Sequence, residues 1–388
     1  MTLLDQTRTP AATSPTLREV PKRDPRDRGG ARQPLLIVRD LQKHFPIKGG
    51  LLNTTVATVK AVDSVSFAVE KGETLGVVGE SGCGKSTLAR LLMHLVSPDA
   101  GELIFDGDPV GQRQGLSLRD LRRNMQMVFQ DSSSSLNPRM PIEDSVAYGP
   151  RVHGAPRETA RATARDLLDK VGLPAEMFAH RYPHELSGGQ KQRVNIARAL
   201  ALEPRMLILD EAVSALDKSV EAQVLNLLRH LRTRFSLTYL FISHDLHVVQ
   251  YISDRVLVMY LGEVVEIGPV DRIYSAARHP YTQALLASQL STDPAERLTE
   301  APIAGDPPNP IDPPSGCRFH TRCPFSETVC TERAPRLSAG EEQEAHSVAC
   351  HMHDPGSGHS RRSDPPAAPA HAAPSAPSPA MRAQGAAR

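Results

Sequence analysis

The stretch 74-TLGVVG-79 runs straight into 79-GESGCGKST-87 and then into 86-STLARLLMHL-95. An apolar strand, a glycine-rich loop and a helical pattern in that order constrain the fold more than any other segment. The loop fits G-x-x-x-x-G-K-[ST]. Gly79, Gly82 and Gly84 let backbone N–H groups converge on phosphate oxygens, and the helix that follows adds the positive end of its dipole. Lys85 is expected to reach β- and γ-phosphates and Ser86 to place its hydroxyl on Mg²⁺. Ser81, Cys83 and Thr87 complete the loop. Cys83 is a small side chain that fits there and takes no ligand role. Its position predicts that thiol alkylation blocks nucleotide binding.

The surrounding pattern predicts an α/β chain. Val65, Phe67 and Val69 alternate with small or polar residues, the period of a half-buried strand. A second apolar strand, 206-MLILD-210, precedes a helix over 218–235, whose Val220, Val224, Leu227, Leu228 and Leu231 share one face. A third strand, 238-TYLFIS-243, follows, and 255–268 reads as a hairpin turning at Gly262. Strands alternating with helices imply a mostly parallel sheet covered on both faces. Residues 140–200 carry a helical face (Ala160, Ala164, Leu167, Leu168, Val171) stopped at Gly172, without a strand pattern, and read as a helical insert.

Two further motifs carry chemistry. In 206-MLILDE-211 a buried strand ends in two carboxylates, which is costly unless they are paired or bound to metal. Asp210 is expected to hold Mg²⁺ through water, and Glu211 to orient or deprotonate the water that attacks a γ-phosphate. In 186-LSGGQ-190, Ser187 and Gln190 have capping-box spacing at the start of a helix. Gly188 and Gly189 read as exposed, allowing close backbone approach to an anion at that helix end.

In this combined order the chain resembles the ATP-binding cassette (ABC) ATPases, which belong to the P-loop NTPases. The resemblance implies a RecA-like core, an antiparallel β subdomain and the helical insert. It also implies a head-to-tail dimer with two ATP molecules sandwiched between the phosphate loop of one subunit and the LSGGQ of the other. Further residues match the family one by one. Gln130 in 126-QMVFQD-131 matches the glutamine that senses Mg²⁺ and γ-phosphate, and His244 in 243-SHD-245 the histidine that contacts γ-phosphate. Asp217 in 214-SALD-217 matches the acid of the loop between the two sites, and Phe45 in 44-HFP-46 the aromatic that stacks on adenine. With Lys85, Glu211 and His244 all present, an active ATPase is expected.

The resemblance narrows to the ATP-binding subunits of oligopeptide/dipeptide permeases. It rests on 76-GVVGESGCGKSTLARLL-92, 122-RRNMQMVFQD-131, 135-SLNPRM-140, 213-VSALDKSVEAQVLNLL-228 and 279-HPYTQALL-286, and spans roughly 35–352. The chain departs from that family at Ala212 and Ser132, where proline is usual, so coupling kinetics are less constrained than ATP binding. The resemblance implies a subunit that energises import of di- or oligopeptides. Another cargo (nickel, an opine, an oligosaccharide) is the first alternative, and a non-transport ABC ATPase the second. The implied partners are a second ABC ATPase subunit, two transmembrane permease subunits and an extracytoplasmic peptide-binding protein. The implied location is peripheral, on the cytoplasmic face of the cell membrane.

Four of the five cysteines, Cys317, Cys323, Cys330 and Cys350, follow the spacing C-x₅-C-x₆-C-x₁₉-C. Zinc sites favour tighter C-x₂₋₄-C pairs. Four thiolates with a Cys323–Pro324 step suit a [4Fe–4S] cluster. From spacing alone, the cluster, zinc and uncoordinated thiols all remain open. The resemblance implies the cluster, in a small cysteine-rich domain over 317–352.

Composition supports this division. Residues 35–301 hold 13 prolines in 267 positions, and the other 121 positions hold 20. The expected domains are a disordered arm over 1–33, the cassette over 34–290 with its helical insert at about 132–200, a proline-rich connector over 291–316, the cysteine-rich domain over 317–352 and a disordered tail over 353–388. A net charge of +1 and 4% aromatic residues argue against a nucleic-acid partner. No apolar run approaches the ~20 residues of a membrane-spanning helix, and the N-terminus lacks the apolar core of a signal peptide.

Overall fold

The computed structural model describes residues 30, 33–49, 54–132, 134–288, 305–306, 308–339 and 346–361 of the 388-residue chain. The expected arm apart from residues 30 and 33, most of the expected connector and the tail beyond 361 lie outside these residues.

The strands are β1 (Leu36–Gly49), β2 (Thr54–Val69), β3 (Thr74–Val78), β4 (Ala100–Phe105), β5 (Asp108–Pro109), β6 (Met125–Val128), β7 (Met206–Asp210), β8 (Thr238–Ile242), β9 (Arg255–Tyr260), β10 (Glu263–Pro269), β11 (Ser338–Ala339) and β12 (Ser347–Val348). They form two sheets. The smaller is antiparallel, in the order β2-β1-β4-β5. The larger runs β11-β12-β10-β9-β3-β8-β7-β6. Its centre, from β9 to β6, is parallel, and β10, β12 and β11 join antiparallel at one edge.

Alternation along the central strands sorts side chains into two cores, because successive residues of a strand face opposite sides. Leu75, Val77, Ile208, Leu240, Ile242 and Leu257 face helix α1 (Lys85–Leu92), α2 (Leu118–Asn124) and the small sheet. Leu207, Leu209, Tyr239, Phe241, Val256 and Val258 face the other way, into a second core. That core takes in α3 (Ile142–Val152), α4 (Arg157–Lys170), α5 (Ala175–Phe178), α6 (Gly188–Leu200), α7 (Lys218–Phe235) and α8 (Leu246–Ile252). The central strands are therefore apolar on both faces, as a covered parallel sheet requires. The helices α3 to α6 all lie between β6 and β7 in the chain, with no strand among the described residues there. On α7, Val224, Leu228 and Leu231 are buried, with Val220 and Leu227 packed at the margin. The hairpin β9–β10 turns at Gly262, whose φ of 84° is left-handed.

After β10 come α9 (Val270–Ser275), α10 (Pro280–Ala287) and, in the cysteine-rich segment, α11 (Thr328–Glu332). The expectation of a separate small domain over 317–352 needs correction in its form. Val348 and Ser347 pair with Glu266 and Ile267, so the segment extends the large sheet. Phe319 sits in the same core as Tyr260 and Tyr281. The tail boundary at 353 also falls too early. His353 Nε2 bonds to the Arg278 carbonyl (3.0 Å) and His359 Nε2 to the Phe325 carbonyl (2.9 Å), so residues to 361 pack on the fold.

No helix among the described residues is long and apolar enough to cross a membrane.

Candidate nucleotide site

The ends of β3, β7 and β8 deliver the motif residues to one place. The loop after β3 needs its glycines. A Cβ on Gly84 (φ 110°) would lie 2.2 Å from the Ala61 carbonyl oxygen, and one on Gly79 (φ 149°) 2.2 Å from that of Met259. The loop is thus pressed between the small sheet and β9. Lys85 is buried, and its Nζ donates to the carbonyls of Gly79 (2.7 Å) and Glu80 (3.0 Å). Ser86 Oγ donates to Asp210 Oδ1 at 3.1 Å, joining the helix start to the end of β7. Burial pushes the Asp210 pKa up, and the Ser86 hydroxyl opposes it, leaving the carboxyl above its ordinary value. A cation near this carboxylate would offset the desolvation.

Glu211 follows with φ 47°, a left-handed conformation that costs energy for a residue with a Cβ. Its backbone is held by N–H donation to the Ile242 carbonyl (2.9 Å) and by Ser214 Oγ on its own carbonyl (3.0 Å). Both carboxylate oxygens are engaged. Gln130 Nε2 donates to Oε2 at 2.6 Å, and His244 Nδ1 lies 3.3 Å from Oε1. Lys85, Ser86, Asp210, Glu211, Gln130 and His244, read from four separate motifs, are therefore brought together. Next to His244, Asp245 caps α8 through the N–H groups of His247 and Val248 and pairs with Lys218 at 2.9 Å.

The LSGGQ segment differs from its sequence reading in one point. Ser187 caps α6 and forms the expected capping box with Gln190. Gly188 is exposed, but Gly189 is buried. A Cβ on Gly189 would meet Val220 Cγ1 at 2.4 Å, so this glycine serves close packing of α6 against α7 rather than approach of a ligand. Asp217 is the N-cap residue of α7, one turn before Val220. Phe45 is partly exposed on β1, with Lys43 Nζ 5.5 Å from its ring centroid. Cys83 is buried, and burial raises its thiol pKa, which disfavours the reactive thiolate. The expected sensitivity to alkylation is corrected accordingly.

Two groups of functional weight escaped the sequence reading. Glu266, in the apolar strand β10, is fully buried and accepts from His346 Nε2 (2.8 Å) and the N–H groups of Arg278 (2.6 Å) and His279 (3.0 Å). Burial pushes its pKa up, but these bonds hold it below the ordinary carboxylate range. A charged residue inside an apolar run was the available signal. The second group is Arg318, buried against the Leu261 carbonyl and the carboxylates of Asp63 and Glu263.

Cys317, Cys323, Cys330 and Cys350 line one cavity of about 20 Å³, together with Phe319 and four histidines. Burial pushes the thiols of Cys317 and Cys350 up to about 12. As the side chains stand, no group of three or more His, Cys, Asp or Glu among the described residues is placed to hold a metal ion.

Comparison with known proteins bears on this arrangement. The family profile described as ABC transporter matches residues 62–214, and that of the oligopeptide/dipeptide transporter C-terminal region matches 265–330. A probable peptide ABC transporter ATP-binding protein, y4tS of Sinorhizobium fredii, is 49% identical over 88% of this chain and 93% of its own length. The oligopeptide transport ATP-binding protein AppF of Bacillus subtilis is 48% identical over 83% of this chain and 98% of its own. The chain belongs to the ATP-binding subunits of the oligopeptide/dipeptide ABC transporter family. It is an ATPase of the ABC cassette fold. The di/tripeptide transport ATP-binding protein DppF of Pseudomonas aeruginosa is 45% identical over 82% of the chain and 97% of its own length. Among solved structures, cbiO1 of Clostridium perfringens, part of the ABC transporter complex cbiONQ, aligns with a TM-score of 0.53 at 28% identity, over 62% of this chain and 90% of its own. The match to the C-terminal region profile includes Cys317, Cys323 and Cys330.

Proposed function

We propose that this chain binds ATP with Mg²⁺ at the loop 79–87, hydrolyses it with Glu211, and thereby drives import of di- or oligopeptides. The observation that carries this is the convergence of Lys85, Ser86, Asp210, Glu211, Gln130 and His244 beside the ends of neighbouring strands. Gly79, Ser81, Gly82, Cys83, Gly84 and Thr87 would surround the phosphates with backbone donors. Lys85 would exchange the Gly79 and Glu80 carbonyls for phosphate oxygens. Ser86 and Asp210 are already bonded to each other and would hold the cation. Mg²⁺ supplies charge neutralisation of the phosphates when bound. Glu211, fixed through both oxygens, accepts the proton of the attacking water, and His244 beside it faces the γ-phosphate. Phe45 would stack on adenine. Catalysis then rests on positioning and charge, as phosphoryl transfer requires.

In this reading Ser187, Gly188 and Gln190 close the site of a second ATPase subunit in a head-to-tail dimer, with Gly189 seating α6 on α7 and Asp217 between the two sites. Two permease subunits anchor the pair at the cytoplasmic face of the membrane, and an extracytoplasmic binding protein delivers the peptide. The relatives' names support the peptide cargo. The decisive experiment is peptide uptake by membrane vesicles holding the permeases and this chain. Uptake that continues unchanged when Glu211→Gln replaces the native subunit in every copy would refute the assignment.

We further infer that Cys317, Cys323, Cys330 and Cys350 hold a [4Fe–4S] cluster. Their shared cavity supports this donor set, and the thiols of Cys317 and Cys350, raised by burial to about 12, become thiolates at neutral pH only with a cation to compensate. Chain purified without oxygen is expected to absorb broadly near 400 nm and to lose that band in Cys350→Ser. Colourless protein with stoichiometric zinc would overturn the cluster.

A further inference from the structure

Glu80, the second residue of the phosphate loop, is gripped from outside the loop on two sides. Its backbone N–H donates to Tyr281 Oη on α10 at 2.8 Å. Its carboxylate takes a two-pronged ion pair from Arg322, with Nη1–Oε2 at 2.9 Å and Nη2–Oε1 at 3.1 Å. Within the loop, its carbonyl accepts from Lys85 Nζ (3.0 Å) and the Cys83 N–H (3.2 Å). Arg322 is itself locked. Its side chain is 6% exposed, Nη1 also donates to Tyr260 Oη at 3.3 Å, and the guanidinium lies 5.9 Å from the Tyr260 ring centroid and 6.0 Å from that of Phe319. Tyr260, Tyr281 and Phe319 pack against one another with centroids 4.6 to 5.4 Å apart. Arg322 directly precedes Cys323, in the wall of the cysteine cavity.

The arrangement has a consequence for nucleotide binding. When Lys85 turns to phosphate, the loop loses the lysine's bonds at the Gly79 and Glu80 carbonyls, and the Glu80 carbonyl keeps the Cys83 N–H at 3.2 Å. A loop with several left-handed glycines has much conformational freedom to regain at that moment. Holding it in the binding shape by contacts that do not involve Lys85 removes that cost from binding.

We propose that Arg322 and Tyr281 are positioning residues for ATP, which keep Glu80 in place while Lys85 changes partners. Through Arg322 the cysteine-rich segment sets the affinity of the nucleotide site. The proposal rests on the reading of 79–87 as the ATP site.

The test is titration of the full-length chain with a trinitrophenyl fluorescent analogue of ATP, beside thermal unfolding. Arg322→Gln and Glu80→Gln are each expected to weaken binding about tenfold, within the ~5–150-fold range of couplings between sites. Because both remove one ion pair, the double variant is expected to lose little more than either single variant. Arg322→Lys, which cannot make the fork, recovers only part of the affinity. The loss appears in KM for ATP more than in kcat at saturation. Arg318→Gln is the control. It loosens the same segment through Asp63 and Glu263 without touching the loop, and is expected to lower the melting temperature with affinity intact. Glu80→Gln tests the same bond if Arg322→Gln fails to fold. Equal affinity in native chain, Arg322→Gln and Glu80→Gln would overturn the proposal. Failure of the native chain itself to bind the analogue would instead refute the site reading.

Discussion

The nucleotide site and the cysteine cavity sit on one sheet but are built by opposite means. At the ends of β3, β7 and β8, Lys85 and Asp210 are buried but the outer groups stand open, with His244 60% and Glu211 18% exposed. They are joined across the strand ends by single hydrogen bonds, Ser86 to Asp210 and Gln130 to Glu211. Around β10 the polar groups are closed in. Glu266 is 0% and His346 2% exposed, and their bond joins residues 80 positions apart. The first arrangement leaves charge available to a ligand. The second uses charge to fasten a late segment to the core, where an unpaired partner would be costly. Chemistry and fastening therefore demand different burial, and the two regions show it.

The sharpest way to break this contrast is at Glu211. Glu211→Gln is expected to cut ATP hydrolysis about 10²–10⁴-fold, the usual scale for a general base, with nucleotide binding and melting temperature retained. A large loss of stability instead would place Glu211 with the fasteners. Glu266→Ala should do the reverse. Leaving His346 buried without its partner is expected to cost about 3–5 kcal/mol in chemical denaturation. Nucleotide chemistry in the protein that remains folded should be little altered.

Acid should find the closed region first. His279 is fully buried, with Glu266 and His353 facing it, and burial lowers its pKa to about 4. His353 is lowered as well. Unfolded histidines take up protons below about 6.5, while these stay neutral in the fold. Stability should therefore fall as pH drops from about 6.5 towards 4, by up to ~3 kcal/mol for His279. Glu266 is held below its ordinary pKa, so its contribution is present above about 4.5 and is lost as pH falls further. Denaturant midpoints that stay flat from pH 7 to 5 would contradict this. The smallest effect is expected at Gly189→Ala. Overpacking against Val220 costs ~1–3 kcal/mol, and better helix propensity returns up to ~1. A net gain in melting temperature would reinstate Gly189 as a ligand-facing position.

The contrast also explains what could be read in advance. The phosphate loop, Asp210–Glu211, the capping box and His244 are each short and local, and strand ends of an α/β sheet bring such motifs together. The strands at β3, β7 and β8 announced themselves as apolar runs. By contrast, β11 and β12 have two residues each, too few for any period to show. Their place at the edge of β10 depends on pairing across the chain. Gly189 was misread because a glycine that admits a neighbouring helix and one that admits a ligand look alike in sequence. Only Val220, 31 positions on, decides between them. The tail boundary failed for a similar reason, since His353 and His359 are anchored by carbonyls of Arg278 and Phe325, which no local pattern encodes.

The pairing of Val348 with Glu266 has a consequence for synthesis on the ribosome. The partner of β10 emerges 82 residues after it, which at about 5–20 residues per second is a delay of about 4–16 s. Throughout that interval the nascent cassette carries an open edge strand on which Glu266 still lacks His346. Such an edge is a template for pairing with another chain. Crowded polysomes translating this message should therefore form contacts between neighbouring nascent chains through β10. Crosslinking of chains arrested before and after residue 348 would reveal when the edge is sealed.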